Sequence, residues 1–577
     1  MSKLLNAIYR NPLIQGLPRS KFDLSHNMKT TMEAGKMIPL DIMEVLPGDT
    51  FQVDLSSVIR SVTPFTDTMD NAYLDIYAFF VPHRLSYFPS VGASDTAHHW
   101  EHINGQNDNG VWARTSEATA LCVNPYGTST GQGSQQCIVG SVANHLGIPT
   151  IVPATMLFNA APFNALGLIW NYFFRDENVD NPITINTQGF YQSCFAGNPF
   201  YVNKFHDYFT SCLPSPQKGD SVAVGLTDIV DVDFNNTFVP MITGSSCNDV
   251  GSYPIKLTSQ SAVSSSYNSV LNVGGSASGH NTQLMTQTSS VSSGTDSQVV
   301  SATNLGINPQ KINASVDLTN ATAITINQLR YAFATQRLLE SDARGGTRYI
   351  EILQSHYNQF IKDEVIQYPE FLGGKRVPLT TYQVPGTATT GSGDNTSELG
   401  EIGAFGHTQD RSNICIKSFK EHGYFIVVGC VRSSNSYYTG VPKLFFKKRR
   451  YDTYYPEFAN IGEQAVKKAE LYASTSGTQD SVFGYQEAWS EYRYPINRLT
   501  GYFDLGSGDH FLKSDSYAQE LSAIPTLNED FIKFDRNAIL KTWLSSETPY
   551  DYYCDFWFDV KATRPLPVYS IPGLNRL

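Results

Sequence analysis

The apolar positions of this chain fall mostly into short alternating runs rather than long helical stripes. Phe51, Val53 and Leu55 point one way and Gln52, Asp54 and Ser56 the other, which predicts a half-buried strand. The turn signal Leu46-Pro47-Gly48-Asp49 precedes it. Leu74, Ile76, Ala78 and Phe80 share one face of a second strand, which Pro82 ends. Near the C-terminus Cys554, Phe556, Phe558, Val560 and Ala562 alternate with Tyr553, Asp555, Trp557, Asp559 and Lys561. The apolar run from Tyr424 to Val431 reads instead as a strand buried on both faces. Strands near both ends, with long irregular stretches between, predict one all-β sandwich whose loops have grown. Greek-key sandwiches bring sequence-distant strands together, so this spacing is compatible.

Some helix is expected inside the loops. Thr325-Ile326-Asn327-Gln328 has the capping-box pattern, followed by Leu329, Phe333 and Leu339 and stopped by Gly345-Gly346. A shorter helix is expected from Thr347, carrying Ile350 and Leu353. From Val222 to Ala323 the chain is rich in Ser, Thr, Asn and Gly, and from Leu257 to Thr295 it has no charged residue. Disordered segments usually carry charge and proline. An exposed, β-rich insertion over 222–323 that orders by self-association is therefore expected, with Val263, Val270, Leu271 and Val273 packing between copies.

Composition narrows the class. Charged residues are 16% of 577, against about 25% in ordinary globular chains, and aromatics are 12%, mostly Tyr and Phe. Such a composition fits a protein that buries much of itself against its own copies, and equally any large β protein. The net charge of −12 excludes bulk attraction to nucleic acid, so such contact must be local or made through a basic partner. The eight cysteines form no C-x-x-C pair and are expected as free, mostly buried thiols. No apolar leader and no run of membrane-spanning length is present, so no membrane insertion is expected.

Catalytic motifs are missing: no G-x-x-x-x-G-K-[ST], no G-x-S-x-G and no H-E-x-x-H. His98, His99 and His102 lack a second ligand group, and Asp231-Val232-Asp233-Phe234-Asn235 lacks the glycine and glutamate of a calcium loop. Neither a metal site nor any cofactor is expected. Lys447-Lys448-Arg449-Arg450 is the densest basic run, flanked by Phe445, Phe446 and Tyr451 with Tyr454 and Tyr455 beyond. Cations for phosphate beside rings for bases suit single-stranded nucleic acid. The alternatives are a solvated basic loop or an intersubunit salt-bridge site. Lys3, Arg10, Arg19 and Lys21 make the first 22 residues, which contain no acid, a second candidate, at the head of a basic arm over 1–45.

Ordered blocks then extend along nearly the whole chain. They include Phe22-Asp23-Leu24-Ser25, Glu44-Val45-Leu46-Pro47-Gly48-Asp49-Thr50, Phe79-Phe80-Val81-Pro82-His83-Arg84-Leu85 and Pro214-Ser215-Pro216-Gln217-Lys218-Gly219. The most specific is Leu338-Leu339-Glu340-Ser341-Asp342-Ala343-Arg344-Gly345-Gly346-Thr347-Arg348-Tyr349, and Pro572-Gly573-Leu574 closes the series. In these the chain resembles the major capsid proteins of microviruses, small single-stranded DNA bacteriophages, most closely the gokushovirus branch. Segment 221–323 matches in position and composition only.

The resemblance implies an eight-stranded viral jelly roll over 46–577 with long loop insertions. It implies a T=1 icosahedral shell of identical copies around a circular single-stranded DNA genome. The partners implied are scaffolding proteins, a small basic DNA-binding protein and a receptor on the bacterial host surface. The insertion would form a threefold protrusion that contributes to host attachment, and virions would assemble in the host cytoplasm. A β-sandwich adhesin, expected to carry a signal peptide, and a glycoside hydrolase, expected to hold two carboxylates in a cleft, are the competing classes.

Overall fold

The computed structural model describes residues 19–70, 72–88, 122–123, 137–153, 156–197, 199–219, 270–272, 283–285, 326–344, 367–387, 400, 402–473, 480–505, 511–513, 515–516, 525–544 and 549–569. The His98/His99/His102 cluster, the helix expected from Thr347 and most of the insertion lie outside them. The chain divides into two compact units, Met1–Ser221 with Thr335–Leu577, and Val222–Ala334.

In the larger unit ten strands build two antiparallel sheets. They are β1 (Ser20–Asp23), β2 (His26–Met32), β3 (Ile38–Val45), β4 (Thr50–Ser61) and β5 (Ala72–Pro82), then β6 (Glu370–Leu379), β7 (Thr381–Pro385), β8 (Ile402–Ser418), β9 (Gly423–Ser433) and β10 (Tyr552–Arg564). The first sheet runs β2–β10–β4–β8–β7, with β1 beside the far end of β10. The second runs β3–β9–β5–β6. Successive strands switch sheets except from β1 to β2, β5 to β6 and β7 to β8. Most spatial neighbours are therefore distant in sequence, as in a jelly roll.

The predicted alternations set the sandwich core. Phe51, Val53 and Leu55 of β4 and Cys554, Phe556, Phe558, Val560 and Ala562 of β10 are buried against Leu74, Ile76, Ala78 and Phe80 of β5. Phe425, Val427 and Val431 of β9 complete that core. The other face of β9 carries Tyr424, Ile426, Val428 and Cys430 into a second apolar layer. Helices α1 (Ala161–Ile169) and α2 (Gln188–Ala196) supply that layer with Phe163, Leu166, Ile169 and Phe195. The run from Tyr424 to Val431 is apolar because it lies between two cores. Burying each such side chain contributes roughly 1.5–3 kcal/mol.

The turn at Leu46-Pro47-Gly48-Asp49 forms as its residues require. Gly48 takes φ 93°, where a side chain is strained, and the buried Asp49 carboxylate accepts the Leu46 N–H at 2.9 Å. Burial pushes the Asp49 carboxyl up, while the Arg564 guanidinium at 3.2 Å opposes this.

One boundary differs from expectation. Residues 20–45 are not an arm but β1, β2 and β3, so the sandwich begins well before residue 46. β2 hides its role because six of its seven residues remain at least partly exposed; its pairing with β10 defines it. The helix α3 (Ile326–Arg344) follows Thr325 as its capping pattern predicts. The six described cysteines, at 137, 194, 212, 415, 430 and 554, are buried. No helix among the described residues is long and apolar enough to cross a membrane.

One link between the sheets titrates above neutral pH. His26 of β2 donates from Nε2 to the Asp41 carboxylate of β3 across 3.1 Å and stacks on Phe558 at 5.3 Å. The Asp41 hydrogen bond raises His26 from 6.5 to about 9. A raised folded pKa means the contribution is complete below pH 6.5 and is lost as pH rises through about 9. With 39% of the imidazole side chain exposed, solvent screening keeps it below about 1 kcal/mol. Urea melts should show stability declining across that window, and His26→Gln should remove this component.

Candidate nucleic-acid interface

The basic run lies in a loop built from three short 3-10 turns, Lys443–Phe446, Arg450–Asp452 and Pro456–Phe458. Pro442 and Pro456 stand at the boundaries of two turns, where proline stops a longer element. A third apolar cluster supports the surrounding chain, including Tyr208, Phe209, Tyr437, Val466, Leu471 and Phe483. The buried Trp489 holds the loop's end by donating from Nε1 to the Phe458 carbonyl at 2.8 Å.

Polar contacts then fix the loop's course. Asp452 accepts the backbone N–H groups of Lys448 and Arg449 at 2.9 and 2.7 Å. These two hydrogen bonds hold its carboxyl below the usual range. Lys447 pairs with Glu491 at 3.0 Å, donates to the Tyr492 hydroxyl at 2.8 Å and lies 4.2 Å from that ring's centre. Lys443 reaches Glu491 at 3.5 Å. Burial works against ionised Glu491, yet Lys443 and Lys447 hold its carboxyl below the ordinary value.

The four consecutive cations therefore separate into two kinds. Lys447 is a half-buried anchor, its charge answered by Glu491. Lys448, Arg449 and Arg450 are exposed, and Arg450 lies 5.4 Å from the Tyr455 ring centre. Phe445 and Tyr451 beside them are 70% and 68% exposed. Rings in water next to unneutralised cations are chemically suited to stack bases and neutralise phosphates. The sequence reading missed Glu491 and Tyr492 as anchors. Glu491 is one carboxylate among many in the sequence, and its position opposite two lysines exists only after folding.

The N-terminal candidates are placed differently. Arg19 donates to the Gly48 carbonyl and to Thr50 Oγ1 at 3.1 Å, so it braces the turn before β4. Lys21 lies in β1, paired with Thr563. Lys3 and Arg10 lie outside the described residues, as do Val263 and Val273. Val270 and Leu271 form part of a short antiparallel pair, Val270–Asn272 with Gln283–Met285. Among the described residues no group of three or more His, Cys, Asp or Glu has metal-site geometry.

The family described as "Capsid protein (F protein)" matches residues 14–574. The capsid protein VP1 of Bdellovibrio phage phiMH2K is 35% identical, covering 96% of this chain and 95% of its own length. That of Spiroplasma virus 4 is 32% identical over 100% and 99% of the two chains. That of Chlamydia phage 1 is 31% identical over 97% and 96%. The match thus runs through both sheets, both apolar layers and the basic loop, and the family is structural rather than enzymatic. The chain belongs to the Capsid protein (F protein) family of bacteriophages, in its gokushovirus branch.

Proposed function

We propose that this capsid subunit closes into a T=1 icosahedral shell around a circular single-stranded DNA genome. Lys448, Arg449 and Arg450 with their exposed rings contact that DNA from the inner surface. Scaffolding proteins guide closure, a small basic DNA-binding protein neutralises the remaining phosphate, and virions assemble in the host cytoplasm. The insertion over 222–323 projects outward, meets its copies at the threefold axis through Val263, Val270, Leu271 and Val273, and contributes to attachment at a host surface receptor.

The observation that carries this reading is the agreement of a capsid-family match over 14–574 with a loop that exposes three cations in a chain of net charge −12. Heterologous contacts that close around symmetry axes produce shells rather than filaments.

The test is expression with the phage's scaffolding proteins, followed by electron microscopy and attachment assays on the propagating host. Full-length subunits should give uniform small particles. Subunits with 222–323 replaced by a short Gly-Ser linker should fold and show weaker threefold contacts, and their particles should not attach. Strictly monomeric protein would refute the shell. Truncated particles that infect normally would refute the attachment role.

A further inference from the structure

On the face of β5 and β6 turned from the sandwich core lies a cleft of about 440 Å³. That volume is in the range of small-ligand sites. Its floor is aromatic. Phe79 lies 4.7 Å from Phe173 and 5.6 Å from Phe371, centre to centre, and Tyr77 lies 6.2 Å from Phe371. Phe173 and Phe371 nonetheless stay 40% and 48% exposed, so the floor is formed but uncovered among the described residues.

The cleft's charge departs from that of the chain. Arg175, Lys204, Arg376 and Arg432 line it against a single lining carboxylate, Asp176, with Asp75 buried beside the arginines. Two of these cations are engaged elsewhere. Arg175 donates to the Asp180 carbonyl at 3.1 Å and Lys204 to the Phe531 carbonyl at 2.9 Å. Arg376 is different. Asp75 grips it through Nε at 2.6 Å and Nη2 at 3.2 Å, and the Phe205 ring supports its guanidinium at 4.2 Å. Half of its side chain remains exposed. It is a pre-oriented guanidinium at the edge of an open aromatic floor.

We propose that this cleft takes one nucleotide of the enclosed single strand, with its base on Phe173 and Phe371 and its phosphate on Arg376. The proposal rests on the reading that the shell encloses single-stranded DNA, and adds a stacking site separate from the Lys448–Arg450 loop. The chemistry favours a nucleotide over an acidic peptide because two uncovered π-faces adjoin the cation. Stacking is tolerant of sequence, as a packaged genome requires, and a guanidinium suits phosphate.

The experiment is ultraviolet crosslinking of intact particles, nuclease digestion and mass spectrometry of nucleotide-modified peptides. Adducts should map to the peptides carrying Phe173 and Phe371. A Phe173→Leu/Phe371→Leu variant keeps the floor apolar, and its adduct yield in the cleft should fall about tenfold with an unchanged subunit melting temperature. Adducts confined to the Leu444–Tyr455 segment would overturn the cleft proposal and leave the DNA reading intact. Crosslinks from the cleft to a partner peptide would overturn it in the same way. Particles with no adduct anywhere would remove the DNA reading beneath it.

Discussion

Asp75→Asn is expected to destabilise the subunit by about 3–5 kcal/mol, the range for breaking a buried ion pair from one side. The Asp75 side chain is 1% exposed and receives Arg376 on one oxygen at 2.6 Å and Arg432 on the other at 2.5 Å. Arg432 is itself mostly buried, and its guanidinium lies 4.3 Å from the same Phe205 ring that Arg376 covers. An amide in place of the carboxylate leaves two guanidiniums flanking one ring without their shared anion. Arg432 suffers most, because its buried Nε already lacks a hydrogen-bond partner. Urea unfolding of the assembly-blocked subunit measures the loss. Asp75→Leu combined with Arg376→Leu and Arg432→Met should recover most of it, since apolar replacement of a whole buried ionic group is often neutral or stabilising. If Asp75→Asn melts within about 0.5 kcal/mol of the parent, the triad is a surface arrangement of little weight.

That triad also marks where the sequence stopped being legible. In the pattern around Leu74 and Ile76, Asp75 occupies the slot that a half-buried strand gives to solvent. The sequence reading placed Leu74, Ile76, Ala78 and Phe80 on one face and left the other face unassigned. α1, α2 and Phe205 cover that face, and the two arginines stand 301 and 357 positions away. No period within β5 carries that information. β4 and β10 were readable because each packs one face on a single core, so alternation alone determines their burial. β9 was readable for the opposite reason, being apolar throughout between two cores. β2 was not readable, since its residues follow the register of β10 rather than a burial pattern of their own. The basic loop was half legible in the same sense. Its charge density is a property of the sequence, while the division into one anchor and three exposed cations depends on Glu491 folding back against it.

Lys448→Gln/Arg449→Gln/Arg450→Gln is therefore the variant expected to change DNA packaging without changing the fold. These side chains are exposed, and the loop's course is set by Asp452 accepting backbone N–H groups, which glutamine leaves in place. Lys447 should be spared. Replacing it removes one of two cations facing the half-buried Glu491, and Lys447→Gln alone should lower the melting temperature more than the triple variant does. For single strands each phosphate contact contributes about 0.7 to the slope of log affinity against log salt. Losing three contacts should flatten that slope by about 2. At low salt the triple variant should bind oligo(dT) more weakly, and at high salt it should approach the parent, since what it lacks is counterion release. Binding should remain tolerant of sequence, because Phe445 and Tyr451 keep their exposed rings. In particles the expected result is less DNA per shell with normal shell geometry. An unchanged salt slope together with unchanged DNA content would assign the three cations to contacts between subunits, where their loss should appear as weaker assembly.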